Sequence, residues 1–230
     1  MDSIVHARNL QLASHRGQVY GPLDLDLGHG ISVVYGAMGS GRTSVLLTLS
    51  GRMRPGAGSE LSVLGQPLPH RVRAVQRRTG IAGFAPIDDL DDSVTVAATI
   101  RERKAWLAPW WRFVREPDQD EVDRVCALAF DGRTPPANAL IWGLNDVDQL
   151  LLKMSVALMA SPEVLFVDSI EQVQEPEGRA FLWSRFDALV DAGVDVVVAA
   201  ASTDVVHWDA LRHRPQLAAI TNPDLVSQEF

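Results

Sequence analysis

A chain of 230 residues that is 47% hydrophobic and 22% charged can bury a sizeable core of its own, which excludes a disordered or low-complexity protein. Its formal net charge of −8 argues against a broad face for a phosphate backbone, so no nucleic acid is expected among its partners. The single cysteine, Cys126, excludes an internal disulfide and a cysteine-built metal cage, and its expected role is that of a small buried hydrophobe.

Along the chain, SIVHARNLQLAS and YGPLDLDLGHG alternate apolar and polar residues between glycines and predict short strands. ISVVY, Ile31 to Tyr35, is β-branched, apolar and bounded by glycine, the pattern of a buried strand. The apolar run from Ser44 to Ser50 predicts a buried helix stopped by Gly51, and SELSVLGQPL a further strand and turn. From Ser93 to Ala160 the pattern is helical. Two apolar runs follow, Glu163 to Asp168 and Val194 to Ala200, with the helical stretch PEGRAFLWSRFDALVDAG between them. Strand, helix and strand in that order imply a right-handed parallel crossover and an α/β core. The longest apolar runs are too short to cross a bilayer, and no charged-then-apolar signal pattern opens the sequence. A cytoplasmic protein is expected, one that meets a membrane only through a partner.

GAMGSGRTS, Gly36 to Ser44, lies between the buried strand and the buried helix with the spacing of a Walker A phosphate loop. The chemistry explains the spacing. Glycines allow a tight turn whose N–H groups point inward at a helix N-terminus, a basic side chain reaches the outer phosphates, and a hydroxyl ligates Mg²⁺. Gly36, Gly39, Ser40, Gly41, Arg42, Thr43 and Ser44 are therefore the candidate nucleotide-binding residues, with the Thr43 hydroxyl as a candidate metal ligand. Arg42 stands where lysine is usual. Only Lys104 and Lys153 among 21 basic residues are lysine, so arginine here follows the habit of the chain. It keeps the charge but replaces a point contact by a planar fork.

The surrounding stretches carry a resemblance. LSGRMRPGAGSELSVLGQPL is similar to the segment that follows Walker A in ATP-binding-cassette (ABC) ATPases, VTVAATIRER echoes their LTVRENL-like wording, and PEVLFVDSIEQVQEPEGR looks like their Walker B and D-loop stretch. The order is right and nearly the whole chain is covered. The resemblance implies an α/β P-loop NTPase of ABC-ATPase type, with a mostly parallel core sheet, an N-terminal antiparallel β subdomain and an inserted α-helical subdomain at about residues 93–160, all in one nucleotide-binding domain over 1–230. It further implies ATP and Mg²⁺ as ligands, Asp168 as the Walker B aspartate near the metal, an integral membrane permease-like partner, and a homodimer or a heterodimer with another cassette.

Position by position, the resemblance fails mainly in the catalytic half. Ser169 stands where the family places the glutamate that polarises water, Ile87 (in GFAPI) where it places glutamine, Thr203 (in ASTD) where it places the switch histidine, and Glu175 where the D-loop has aspartate. The signature LSGGQ aligns with LNDVD, Leu144 to Asp148, which lacks both glycines. A serine cannot serve as base near neutral pH without an activating neighbour, and loss of a general base costs about 10²–10⁴ in rate. LNDVD also reads as a helix cap, Asn145 leading into Asp146 and Asp148. Three readings follow: an ATP-binding subunit with weak or absent hydrolysis, a nucleotide-free scaffold for a membrane protein, and an ordinary active ATPase.

Four further features have simpler expectations. His15, or Tyr20 by register, is a candidate to stack on adenine, although a turn histidine is as readily solvent-exposed. KAWLAPWWRFVR, Lys104 to Arg115, is expected to contribute to the core of the helical subdomain and to an interface rather than to bind nucleic acid. DDLDD, Asp88 to Asp92, is expected on the solvated surface. His207 and His213 are assigned no ligand role.

Overall fold

The computed structural model describes residues 3–15, 17–203 and 208–220. Two sheets share the work. In the first, β1 (Val5–Ser14) lies between β2 (Gly17–Leu27) and β4 (Glu60–Val63), and β5 (Gln66–Leu68) completes the antiparallel order β2-β1-β4-β5. The LDLDL pattern of β2 puts Leu23, Leu25 and Leu27 inward and leaves Asp24 and Asp26 outside. β1 and β2 form one long ribbon rather than the short strands predicted. Register shifts between Ala7 and Ala13 absorb the breaks in alternation, with Asn9 at φ 50°.

The second sheet is wholly parallel, in the order β6-β7-β8-β3-β9: β6 (Thr79–Ala82), β7 (Val164–Val167), β8 (Asp195–Ala200), β3 (Ile31–Tyr35) and β9 (Gln216–Ala219). Every residue of β7 and β8 is buried, because both faces are covered. Val34, Phe166 and Val197 face one core, with α1 (Arg42–Leu49) and the antiparallel sheet. Val33, Leu165 and Val196 face the other, with α6 (Pro176–Asp191) and the helices inserted between β6 and β7. The sequence pattern missed β6, β9 and α2 (Val72–Arg78). The first two are four residues long, and β9 is mostly exposed at the sheet edge.

The insert holds α3 (Val96–Leu107), α4 (Gln119–Phe130) and α5 (Asp146–Leu158). Each begins at a side chain that accepts a first-turn N–H: Thr95 from Ala98, Asp118 from Glu121, and Asn145 from Asp148. Cys126, Phe130, Leu151 and Met154 form its buried interior. The aromatics of KAWLAPWWRFVR do not join them, contrary to the core expectation. Trp106, Trp110, Trp111 and Phe113 are 77%, 92%, 71% and 83% exposed. The physical reason is local: α3 stops at Leu107, Pro109 prevents its continuation, and the chain runs irregularly to α4. Among the described residues, no helix is long and apolar enough to cross a membrane.

Candidate functional site

All the loops of interest leave the carboxyl ends of the parallel strands, where open α/β sheets bind ligands. The phosphate loop follows β3, Gly83 to Ile87 follows β6, Asp168 follows β7 and Thr203 follows β8. The loop is tied to its neighbour by the Gly36 N–H, which donates to the Ala200 carbonyl at 3.3 Å.

The glycines are required by space. A Cβ on Gly36 would stand 2.5 Å from the Ile220 carbonyl oxygen and 2.7 Å from Ser40 Oγ. One on Gly41, at φ 88°, would stand 2.3 Å from the Val19 carbonyl oxygen. Gly41 caps α1 without a side-chain acceptor, and the first helical hydrogen bond runs from Val45 N–H to the Gly41 carbonyl at 2.9 Å. The N–H groups of Arg42, Thr43 and Ser44 thus form an uncapped positive end. Ser40 Oγ is buried and has no hydrogen-bond partner. A partnerless hydroxyl beside the uncapped start of a helix fits an anion of phosphate size.

Arg42 does not extend freely. Its Nη1 donates to the Gly36 carbonyl, and its Nη2 lies 3.6 Å from Glu171 Oε1. The same Glu171 oxygen accepts the Ala201 N–H. One carboxylate thereby joins the ends of three strands: the helix after β3, the turn after β7 and the exit of β8. Sequence reasoning assigned Glu171 nothing. The only signal was a carboxylate three residues past Asp168, and its partners are distant in sequence.

Asp168 is 6% exposed. Burial pushes its carboxyl above the ordinary aspartate range, opposed by hydrogen bonding from Thr43 and from the Ser169 N–H (2.8 Å to Oδ1). Thr43 and Asp168 are therefore brought together, an oxygen pair suited to a hard cation. Ser169 sits in the left-handed region at φ 59° with its N–H turned to Asp168. Gly83 at φ 83° packs beneath, with no room for a Cβ against the Asp168 carbonyl.

Ile87, Thr203, Glu175 and LNDVD share no hydrogen bond with this cluster among the described residues. Ile87 is 57% exposed and lines a different cleft, of about 300 Å³, with Arg52, Arg103 and Lys153. Burial, then repulsion from Arg103, pushes Arg52 down to about 10, while Lys153 in the same cleft is paired with Asp88 and Asp89. Thr203 is half-buried, beyond the end of β8. LNDVD is a capping unit: Asn145 Oδ1 accepts the Asp148 N–H at 2.8 Å and Asn145 Nδ2 donates to Asp148 Oδ2 at 3.1 Å. Glu175 precedes Pro176, the first residue of α6, and makes no side-chain cap. His15 is exposed in a turn, whereas Tyr20 is fully buried with its hydroxyl 2.7 Å from Thr48 Oγ1, so Tyr20 has no face for a base. Asp88 corrects the expectation of a solvated acidic run: it turns inward, accepts the Gly83 N–H at 2.6 Å and lies 3.9 Å from Lys153 Nζ. His213 pairs with Asp187 at 2.8 Å, and His207 lies outside the described residues.

No protein-family model matches the chain. It is 27% identical over 198 residues to the Nod factor export ATP-binding protein I of Cupriavidus pinatubonensis, covering 86% of this chain and 54% of that protein. It is 29% identical over 163 residues to the protein of the same name from Burkholderia thailandensis, covering 71% of this chain and 51% of that one. The chain thus spans about half the length of the curated relatives it matches. Among solved structures it superposes on the ADP conformation of an ATP-binding cassette of an ABC transporter with a TM-score of 0.73 at 10% identity, covering 96% of this chain and 90% of that one. A dimeric bacterial ABC transporter cassette gives 0.66 at 14% identity, with 86% and 88% covered. At such identities the likeness is one of fold.

Proposed function

Because the chain is a cassette of the ABC type, in fold and in sequence kinship, we propose that it is the ATP-binding subunit of an ABC transporter-like membrane complex, and that it holds ATP–Mg²⁺ while hydrolysing it weakly or not at all. The observation that carries this reading is the phosphate loop itself, with its glycine-only approaches and the buried, partnerless Ser40 Oγ. Gly36, Gly39, Ser40, Gly41, Arg42, Thr43 and Ser44 would hold the phosphates, and Thr43 with Asp168 would hold Mg²⁺. A bound Mg²⁺ would neutralise phosphate charge beside Asp168. Weak turnover is supported by the side chains at the catalytic positions. Among the described residues Ser169 has no activating base within its hydrogen-bond set, and Ile87 faces another cleft.

Residues 1–230 form one cassette in this reading, with about residues 93–160 as its helical subdomain. It works as a homodimer or beside a second cassette, peripheral on the inner face of the membrane, under an integral membrane permease-like protein. The charged cleft beside Ile87, lined by Arg52, Arg103, Lys153 and Asp88, supports a docking point for that protein. The names of the relatives support export as the direction.

Calorimetry with ADP and with ATP–Mg²⁺ tests the proposal. Binding is expected, weakened about 10–100-fold by Arg42→Ala, the size of one charge-assisted hydrogen bond. No heat at millimolar nucleotide, and no effect of Arg42→Ala, would overturn it. That result would favour the second reading, a nucleotide-free scaffold, for which the hold of Glu171 on Arg42 is the supporting observation.

A further inference from the structure

Among the described residues ten large hydrophobic side chains are exposed, and five of them fall within the eight residues from Trp106 to Phe113. Apart from Leu140 and Trp142 the rest lie singly along the chain, so this is the most concentrated run of exposed apolar side chains among the described residues. Exposures of 92% for Trp110 and 83% for Phe113 describe side chains that project from the surface. Trp110 and Trp111 steady each other edge to face, with ring centroids 5.7 Å apart.

The charge of this loop is as distinctive as its apolarity. Arg112 and Arg115 flank Phe113 at the loop's aromatic end, while its acids, Glu116 and Asp118, follow at the base of α4, where Asp118 caps the helix. Arg103 is spent on the Val156 carbonyl and Lys104 on Glu121. Arg112 and Arg115 are exposed and have no carboxylate partner among the described residues. Behind the tip lies a cleft of about 460 Å³ with apolar walls, Leu107, Phe113 and Met159; its charged lining is Arg112, Arg115 and the Lys104–Glu121 ion pair, which leaves the two arginines as its unpaired charges.

We propose that this loop, between α3 and α4, enters the headgroup region of an anionic lipid bilayer, so that the chain touches lipid itself rather than reaching the membrane only through another subunit. Tryptophan rings settle at the boundary of headgroups and acyl chains, where one edge stays wet and the body is apolar. Unpaired arginines beside them meet lipid phosphates, and the negative surface potential draws them in. The cleft offers both halves of the same ligand, cations for a phosphate and apolar walls for a chain. A protein partner also favours tryptophan and arginine, and lipid differs from it in needing no complementary pocket and in responding to headgroup charge. Nucleotide plays no part in this contact.

The test is co-sedimentation of the full chain with protein-free vesicles, of phosphatidylglycerol and phosphatidylcholine in equal parts or of phosphatidylcholine alone, at low and high salt. The anionic vesicles are expected to retain the chain about tenfold better, with a blue shift of tryptophan emission, and salt should erase the difference. Trp110→Ala with Trp111→Ala should lose the blue shift and about tenfold in partitioning. Arg112→Gln with Arg115→Gln should bring anionic binding down to the phosphatidylcholine level. Unchanged melting temperatures identify both as folded. No retention on anionic vesicles at low salt, or equal retention of the tryptophan variant, overturns the proposal. So does self-association that the tryptophan variant abolishes without any vesicle binding, which assigns the face to a second copy. Retention only on membranes from the host cell, lost after trypsin treatment, assigns it to a protein and overturns the proposal equally.

Discussion

At the scale of single residues, Arg42 and Glu171 decide how the phosphate loop behaves. The guanidinium is held by the Gly36 carbonyl and by Glu171 Oε1 at 3.6 Å, so a phosphate must win it from an internal carboxylate. Glu171→Gln removes that competitor and a negative charge facing the incoming ligand. ADP affinity measured by calorimetry should rise about 3–10-fold, within the range of one partly exposed ion pair. Asp168 makes a second residue-scale case. Burial raises its pKa, so its neutral form favours the fold at low pH, and that contribution is lost as pH rises through the raised value. Asparagine cannot ionise. Near neutral pH, Asp168→Asn should melt about 2–4 °C higher than wild type, the size of a 1 kcal/mol effect in a chain of this length. The gap should shrink as pH falls from the raised value and be gone below about pH 4, where the aspartate is protonated in both states. The glycines and hydroxyls of the loop were legible because they are contiguous. Glu171 was not, because its partners Arg42 and Ala201 reach it only when β3, β7 and β8 are laid side by side.

At the scale of elements, caps explain what a departure from a family motif can mean. LNDVD resembles a ruined signature when read as a motif, and a complete N-terminus when read as a helix start. Asn145 accepts the Asp148 N–H, and Asp146 and Asp148 face the positive end of α5. Asn145→Ala should cost about 1 kcal/mol, seen as a fall of about 2–4 °C in melting temperature, and should leave the nucleotide affinity of the isolated chain unchanged. Of the insert's caps only Asn145 was legible as such in the sequence; Thr95 and Asp118 cap α3 and α4 in the same way, and Pro176 opens α6. α1 is the contrast: it begins at Gly41 without any side-chain cap, which leaves its first N–H groups for a ligand. The end of α3 was not read correctly, since apolar aromatics past Pro109 look like a continuing core pattern until the chain is seen to leave the helix.

At the scale of the whole molecule, the parallel sheet is covered on both faces, and this fixes which groups water reaches. Cys126 shows the consequence. Burial pushes its thiol up to about 11, opposed by Ser155, so the native thiolate population is small and shielded. Reaction with a disulfide reagent at pH 8 should be at least about 10²-fold slower than for the denatured chain, and should accelerate with denaturant in step with the loss of helix signal. A fast native reaction would mean that the helical insert opens separately from the sheet.

Local pattern determined a good deal: the buried strands, the phosphate loop between strand and helix, the helices of the insert, and the parallel crossover that makes the core α/β. These follow from spacing along the chain, which fixes backbone geometry and the faces of each element within a few residues. Tertiary structure alone decided the rest. It set Glu171 against Arg42, turned Asp88 inward to Gly83 and Lys153, buried Tyr20 against Thr48, and left Trp110 and Trp111 outside. Each depends on which surfaces meet when distant segments pack. Burial and charge pairing are properties of that meeting, and no periodicity in the chain encodes them.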